Sequence, residues 1–397
     1  MSRIDELINE FAPAGVGHVM MSEVAQYSST RVDAAGLDET NFVGVDNLVA
    51  NKGGRVDASY PPNTARLTAY EPGDILLGNI RPYLKKVWLA TNAGGCSGDV
   101  LAIRILLDQR ESLDPAYLYY LLSSDSFFAY NMQHAKGAKM PRGNKAAILN
   151  YRIPVPPIEV QREIVRVLDQ FTQLEAELEA ELEARRRQYE YYRSALLAPH
   201  DDVRSVLLGE IATFKYGFTA KAEFSGSHRF LRITDITPQG KLSPDNAKYV
   251  NVDAAANNYV VQPGDVLMAR TGATFGKTML VSDGEAAVYA SFLIRIRFTG
   301  GSLLPEYYWH FAQSCAYWDQ ANALVSTGGQ PQFNANVLRQ VRVPVPPLAE
   351  QRRIVDALNQ FDVLANDLSV GLPAELVARR RQYEYYRDRL LTFREAV

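Results

Sequence analysis

The strongest chemical suggestion in this sequence is a lysine set behind two glycines. Residues 272–278, GATFGKT, have the composition of a phosphate-cradling loop that binds nucleotide at the head of a helix. That motif needs four residues between its glycines and a helix after its lysine. Here three residues separate Gly272 from Gly276, and TMLVSD, which follows Lys277, reads as a strand. An NTPase using Lys277 is thus one alternative, and it predicts nucleotide hydrolysis by the purified chain. Five histidines, His18, His134, His200, His228 and His310, show neither metal-ligand spacing nor a patterned nucleophile. The two cysteines, Cys96 and Cys315, lie far apart, so neither a disulfide framework nor a zinc site is indicated. Nothing in this inventory is a catalytic centre, and no cofactor or metal is expected on this chain.

A second chemistry occurs in both halves. GNIRPYLKK (residues 78–86) carries Asn79, Arg81, Lys85 and Lys86, and KGAKMPRGNK (136–145) carries Lys136, Lys139, Arg142 and Lys145. Further on, RFLRITDI (229–236) holds Arg232 and Thr234, ARTGATFGKT (269–278) holds Arg270, Thr271 and Lys277, and STGGQPQFNAN (326–336) holds Gln330, Gln332 and Asn334. Arginine and lysine pair with phosphates or with guanine, and asparagine or glutamine with adenine, so loops of this content suit DNA. Functionless solvated loops share the composition, which makes these residues candidates rather than assignments. A net charge of −3 and a pI near 6.0 exclude a binder that relies on one large positive patch. The charge is uneven, however. Residues 126–158 contain no acid but five bases, whereas residues 159–198 carry nine acids against six bases.

The elements that must position these loops are announced by an internal repeat. RIPVPPIEVQREIVRVLDQF (152–171) returns as RVPVPPLAEQRRIVDALNQF (342–361), and RRRQYEYYRSALL (185–197) as RRRQYEYYRDRLL (379–391). The order is therefore globular part, helix, globular part, helix. The prolines of each PVPP run force extended chain, so each helix starts just after them. Ile164, Leu168, Phe171, Leu178 and Leu182, and in the second copy Ile354, Leu358, Phe361 and Leu368, recur at helical spacing and form an apolar stripe. Packing of each helix on its own domain would account for such a stripe, but two matched long stripes pack more simply on each other. LEAELEAELEAR (174–185) is a tandem four-residue unit of strong helix formers, and a helix from 159 to about 198 would be roughly 60 Å long. In the second copy, Gly371 and Pro373 should kink or interrupt the helix. Both globular parts share a layout: a Pro-Gly turn, an apolar strand (near 74–77 and 265–268), a basic loop, aromatic helices (115–132 and 305–323) and a polar loop.

The PVPP-x3-Q-R-x-I-V helix starts and the paired RRRQYEYYR segments, supported by GDILLGNIRPYLKK, RFLRITDI and ARTGATFGKT, make the whole chain resemble the specificity subunit of type I restriction-modification systems. The resemblance implies an α+β architecture with a pseudo-two-fold internal repeat. It comprises target-recognition domains at 1–157 and 199–347 and long, antiparallel spacer helices at 158–198 and 348–397. It further implies a non-catalytic reader of double-stranded DNA, with one domain for each half of a bipartite site. Two methylation subunits would dock on it and use S-adenosylmethionine, and restriction-motor subunits using ATP and Mg would join them. One departure is an N-terminus with little helix before the first domain. The absence of a signal-like start or a long apolar run leads to the expectation of a cytoplasmic protein. A coiled-coil scaffold joining two protein-binding domains explains the repeat as well, but leaves the basic loops idle. Steeply salt-dependent binding to duplex DNA separates the two readings.

Overall fold

A computed structural model describes residues 3–199, 202–252, 256–282, 284–326, 331–367 and 369–396. The chain forms two compact units, Met1–Ala176 with Ala378–Val397, and Glu177–Val377. The first unit is built from both ends of the chain. Val16 donates to the carbonyl of Arg394 and accepts from the amide of Ala396, and a Cβ on Gly15 would stand 2.9 Å from the Ala396 nitrogen. Before this junction lies a short helix, Arg3–Phe11.

Each unit repeats one sheet plan. In the first, strands Ala25–Tyr27, Val100–Ile105, Ile75–Gly78 and Val87–Leu89 lie side by side in that order. In the second, the order is Ala212–Tyr216, Leu293–Phe298, Val266–Ala269 and Thr278–Leu280. The central strands ILLG and VLMA are apolar throughout because both faces are covered. Ile75 and Leu77 point into the core formed with the aromatic helices Pro115–Leu122 and Asp125–His134, while Leu76 joins Tyr70 and Cys96 on the other face. Val266 and Met268, and Leu267 with Ala269, divide in the same way in the second unit. Burial pushes the Cys96 thiol up to about 12, which leaves it unreactive. The Pro-Gly turns end in a buried carboxylate. Asp74 accepts from the Glu71 amide and takes a forked pair of bonds from Arg104 (2.7 and 2.9 Å). Asp265 does the same with Gln262 and Arg297 (2.7 and 2.8 Å). Gly73 and Gly264, with φ of 90° and 86°, allow the reversal.

The repeated helix starts have a physical cause. Gln161 is fully buried. Its carbonyl accepts from the Asp114 amide (2.9 Å), and its amide donates to Ser112 (2.8 Å) and Pro156 (2.7 Å). Gln351 makes the same three bonds, to Leu304, Ser302 and Pro346. Each glutamine thus ties its helix to the loop before the aromatic helix. Truncating it would strand three buried backbone groups at about 1–3 kcal/mol each.

The first long helix is continuous over Ile158–Leu196, and the second is divided into Leu348–Asn366 and Leu372–Leu390. The break falls at Gly371, where a Cβ would lie 2.3 Å from the Val363 carbonyl. The apolar stripe serves both packings. Ile164 and Leu168 belong to the core of the first unit, and Ile354 and Leu358 to that of the second. Helix meets helix further on. Phe171 stacks on Tyr386 (5.6 Å, 22°) and Glu175 pairs with Arg380, so within the first unit the segments run antiparallel. Tyr192 stacks on Phe361 in the second unit with the same geometry (5.3 Å, 24°). Leu182 is buried and Leu178 half-buried, while Leu368 lies outside the described residues.

One repeated contact has changed its chemistry. Tyr120 donates to Asp169 (2.5 Å) in the first unit. At the matching positions of the second, His310 sits between Asn359 (2.9 Å from Nε2) and the Tyr189 hydroxyl (3.3 Å from Nδ1). His310 is fully buried, and burial pulls its pKa down to about 4 against the opposing hydrogen bond of Asn359. The unfolded chain, with an ordinary histidine near 6.5, therefore binds the extra proton between pH 6.5 and 4. Stability is full above that window and falls as the pH drops through it, by up to roughly 3 kcal/mol. His310→Gln is expected to flatten this slope in urea unfolding followed from pH 7 to 4. An unchanged slope in the variant would remove the assignment.

Candidate nucleic-acid interface

The candidate loops of each half come together in space. In the first unit, Ile80 pairs with Arg142, and Arg142 in turn with Lys136. The Arg81 amide donates to Pro141 (2.7 Å), which joins residues 78–86 to residues 136–145. Closure requires Gly143, whose Cβ would stand 2.7 Å and 2.8 Å from the buried amide oxygens of Asn131 and Asn79. A third loop docks on the same edge, as the amides of Asn51 and Lys52 donate to Leu84 and Lys85. Among the described residues, Asn51, Lys52, Arg81 and Lys85 are four of the five non-glycine residues with positive φ. Such local strain persists only where surrounding contacts impose it, and it concentrates at functional sites.

Side-chain placement then sorts the basic residues. Arg81, Lys136, Lys139 and Lys145 are exposed, and Arg142 is exposed beside Asp99 (3.1 Å). Lys85 is drawn to Asp125 (2.7 Å) and Lys86 to the Val45 carbonyl (2.7 Å), so both hold the loop in place. Asn79 is buried under it. Burial alone would raise the pKa of Asp125, but bonds from Lys85 and Lys52 (3.1 Å) and the charge of Arg387 hold its carboxyl well below the ordinary range. Neither Asp125 nor Lys52 is marked out by a local sequence pattern.

The second unit uses the same joint. Thr271 pairs with Gln332, Gln332 with Ser326, and Phe333 donates to the Arg270 carbonyl (2.8 Å). Thr271 is buried, and Gln332 is partly exposed. The Arg270 guanidinium lies between the rings of Tyr216 (5.3 Å) and Phe292 (5.6 Å), and its Nε donates to Ser291 (3.0 Å). Both rings are largely exposed, so a cation is presented between two flat apolar surfaces. Tyr216 lies in the aromatic run FKYGF at 214–218, a signal visible in the sequence, whereas no comparable run marks Phe292. Asn334 caps the helix Ala335–Leu338 with its side chain, as Asn144 does for Lys145–Leu149. Arg232 is clamped to Asp235 (2.7 Å) in the helical turn that follows strand His228–Leu231 of the separate three-stranded sheet, with Thr234 exposed beside it. Lys277 precedes the strand Thr278–Leu280 rather than a helix, which rules out the nucleotide-binding loop. Gln330 and His200 lie outside the described residues. Among the described residues, no cluster of metal ligands occurs and no helix is long and apolar enough to cross a membrane.

Comparison with known proteins agrees with this geometry. Residues 96–184 and 200–378 match the family described as type I restriction modification DNA specificity domain. A Haemophilus influenzae protein assigned as a type I restriction enzyme specificity subunit is 31% identical over 302 residues, covering 72% of this chain and 74% of its own length. The specificity subunit of the Escherichia coli enzyme EcoR124I/EcoR124II is 32% identical over 266 residues, covering 62% of this chain and 65% of its own length. A chain solved in work on complex assembly and conformational transition of the type I R-M system shares the fold, with a TM-score of 0.65 at 23% identity, over 96% of this chain and 98% of that one. On the extent of the family match and of the Haemophilus likeness, this chain belongs to the type I restriction-modification DNA specificity subunits.

Proposed function

We propose that this chain reads a bipartite DNA site, one half-site per unit, and that its long helices set the gap between the halves. One observation carries the reading. An identical loop joint, Ile80 with Arg142 and Thr271 with Gln332, is dressed with different chemistry in the two units. The first offers exposed Arg81, Lys136 and Lys139, and the second a ring-flanked Arg270 with Gln332. A shared scaffold with divergent side chains is what two readers of different short sequences need. Matching domains can meet half-sites about one helical turn of DNA apart, roughly 34–36 Å. The chain supplies the address. Two methylation subunits supply adenine methylation with S-adenosylmethionine after flipping the base, and restriction-motor subunits supply ATP- and Mg-dependent cleavage. The likeness to a chain from a type I assembly supports such partners. Because those subunits add phosphate contacts of their own, a net charge of −3 is compatible with DNA binding.

The test is binding of the complex assembled with its methylation subunits to a duplex carrying its methylated site. Removing one cation from a DNA phosphate lowers the salt slope by about 0.9. The combined substitution Arg81→Ala, Lys136→Ala and Lys139→Ala should therefore weaken binding and flatten log K against log salt by up to about 3. Unaltered affinity and slope would show that these loops do not face the duplex.

A further inference from the structure

The two copies of RRRQYEYYR are identical, but what holds their arginines is not. In the first unit, Arg387 is buried and donates to Asp125 (3.1 Å) and Asp388 (2.8 Å), while Arg380 pairs with Glu175 (2.5 Å). The repeat places Arg193 and Arg186 at the positions of Arg387 and Arg380. It places Cys315, Ser194 and Ala365 at those of Asp125, Asp388 and Glu175. All three carboxylates are gone from the second unit. Ser194 instead donates weakly to the Cys315 sulfur at 3.6 Å.

The two arginines instead line a cavity of about 380 Å³, together with Lys277, Thr278, Glu190 and Trp318 among others. Arg193 Nε and the hydroxyl of Thr278, a residue only 2% exposed, are buried there without hydrogen-bond partners among the described residues. Arg186, Arg193 and Lys277 form no ion pair among the described residues. Three cations face one carboxylate, Glu190, a surplus of two positive charges. The two buried unpaired groups, the Arg193 Nε–H and the Thr278 hydroxyl, can both donate, and leaving buried donors unpaired is costly, while exposed Arg186 and partly exposed Lys277 add positive charge. Their complement is a compact anion with several acceptor oxygens and up to two negative charges.

We propose that this cavity is a phosphate-group site of the second unit, whose arginines have no intramolecular carboxylates of the kind that hold their counterparts in the first. A phosphate receives the Arg193 fork and the Thr278 hydroxyl, with Lys277 and Arg186 as neutralising charges. The phosphate comes either from the DNA backbone or from a free or small-molecule phosphate. Only the first source rests on the DNA-reading function above.

The test uses the full chain and inorganic phosphate at constant ionic strength in chloride, with calorimetry and the fluorescence of Trp318 as readouts. Saturable binding of one phosphate per chain is expected, weakened at least about tenfold by Arg193→Gln and by Lys277→Gln. Cys315→Asp combined with Ser194→Asp restores the two carboxylates that hold Arg387 in the first unit, and should abolish phosphate binding while raising Tm. This variant keeps the test decisive if an arginine substitution unfolds the unit. Absence of saturable binding to the parent chain overturns the site, as does binding indifferent to all these substitutions. The source follows from the assembled complex on duplex DNA. A salt slope lowered by about one in Lys277→Gln and in the carboxylate variant assigns the DNA backbone. Unchanged DNA binding alongside abolished phosphate binding assigns a free phosphate, and leaves the DNA-reading function intact.

Discussion

A chain with one more LEAE unit in residues 174–185 is expected to direct methylation to sites whose halves lie one or two base pairs further apart, with both half-site sequences kept. The tandem makes the insertion neutral in position, since adding the unit anywhere in LEAELEAELEAR yields the same sequence. Four residues lengthen a helix by about 6 Å and turn it about 40° past a full turn. One base-pair step advances the duplex by about 3.4 Å and turns it by about 35°, so one or two steps absorb both changes. The continuous helix Ile158–Leu196 can transmit the displacement, whereas the partner rod is broken between Asn366 and Leu372 and can give. On DNA with the original gap, one half-site is lost and affinity should drop on the order of a thousandfold toward non-specific binding. Methylome sequencing of cells carrying the variant reads the gap directly. Retention of both half-sites at the old gap would show that the helix does not measure distance.

The scaffold was legible because it is written twice. PVPP, the apolar stripe and the Pro-Gly-Asp turns each state a local rule, and repetition at a fixed offset removes ambiguity about their register. Gly371 and Pro373 likewise announced the break. The interface was legible only as a set of loops. Which of its bases are free depends on contacts between residues far apart in the chain: Lys85 is taken by Asp125, forty positions away, and Arg142 is steadied by Asp99. Asn79 has the right chemistry for adenine, but is buried beneath Gly143, whose amide donates to the Asn79 backbone carbonyl (2.9 Å). Arg232 and Asn334 looked free for the same reason, yet one is clamped three residues away and the other caps a helix. Gln161 stood in the PVPP-x3-Q-R motif without a role, because three backbone partners spread over residues 112–156 cannot be read from spacing.

Those long-range ties govern the second large effect, the exchange of residues 1–150 for another recognition domain. The expected result is a methylome in which one half-site changes while the other half-site and the gap stay. Each sheet and its loop joint close within their own unit, which is why the halves should read independently. The exchange has structural conditions, however. Gln161, Ile164 and Leu168 remain behind and need an incoming domain that offers a backbone amide and carbonyl at positions 112–114 and an apolar seat for both side chains. Arg387 also remains, and is almost wholly buried. An incoming domain without a carboxylate at the position of Asp125 leaves that charge with Asp388 alone. Arg387 is buried but both carboxylates are partly exposed, so solvent screens the pair and losing the Asp125 bond costs about 1–3 kcal/mol, a large share of a marginal domain's stability. Exchanges that keep the carboxylate should therefore yield active hybrids with one altered half-site, and those that lose it should yield insoluble or inactive chains. Active hybrids in which both half-sites changed would instead mean that the two units read the duplex jointly.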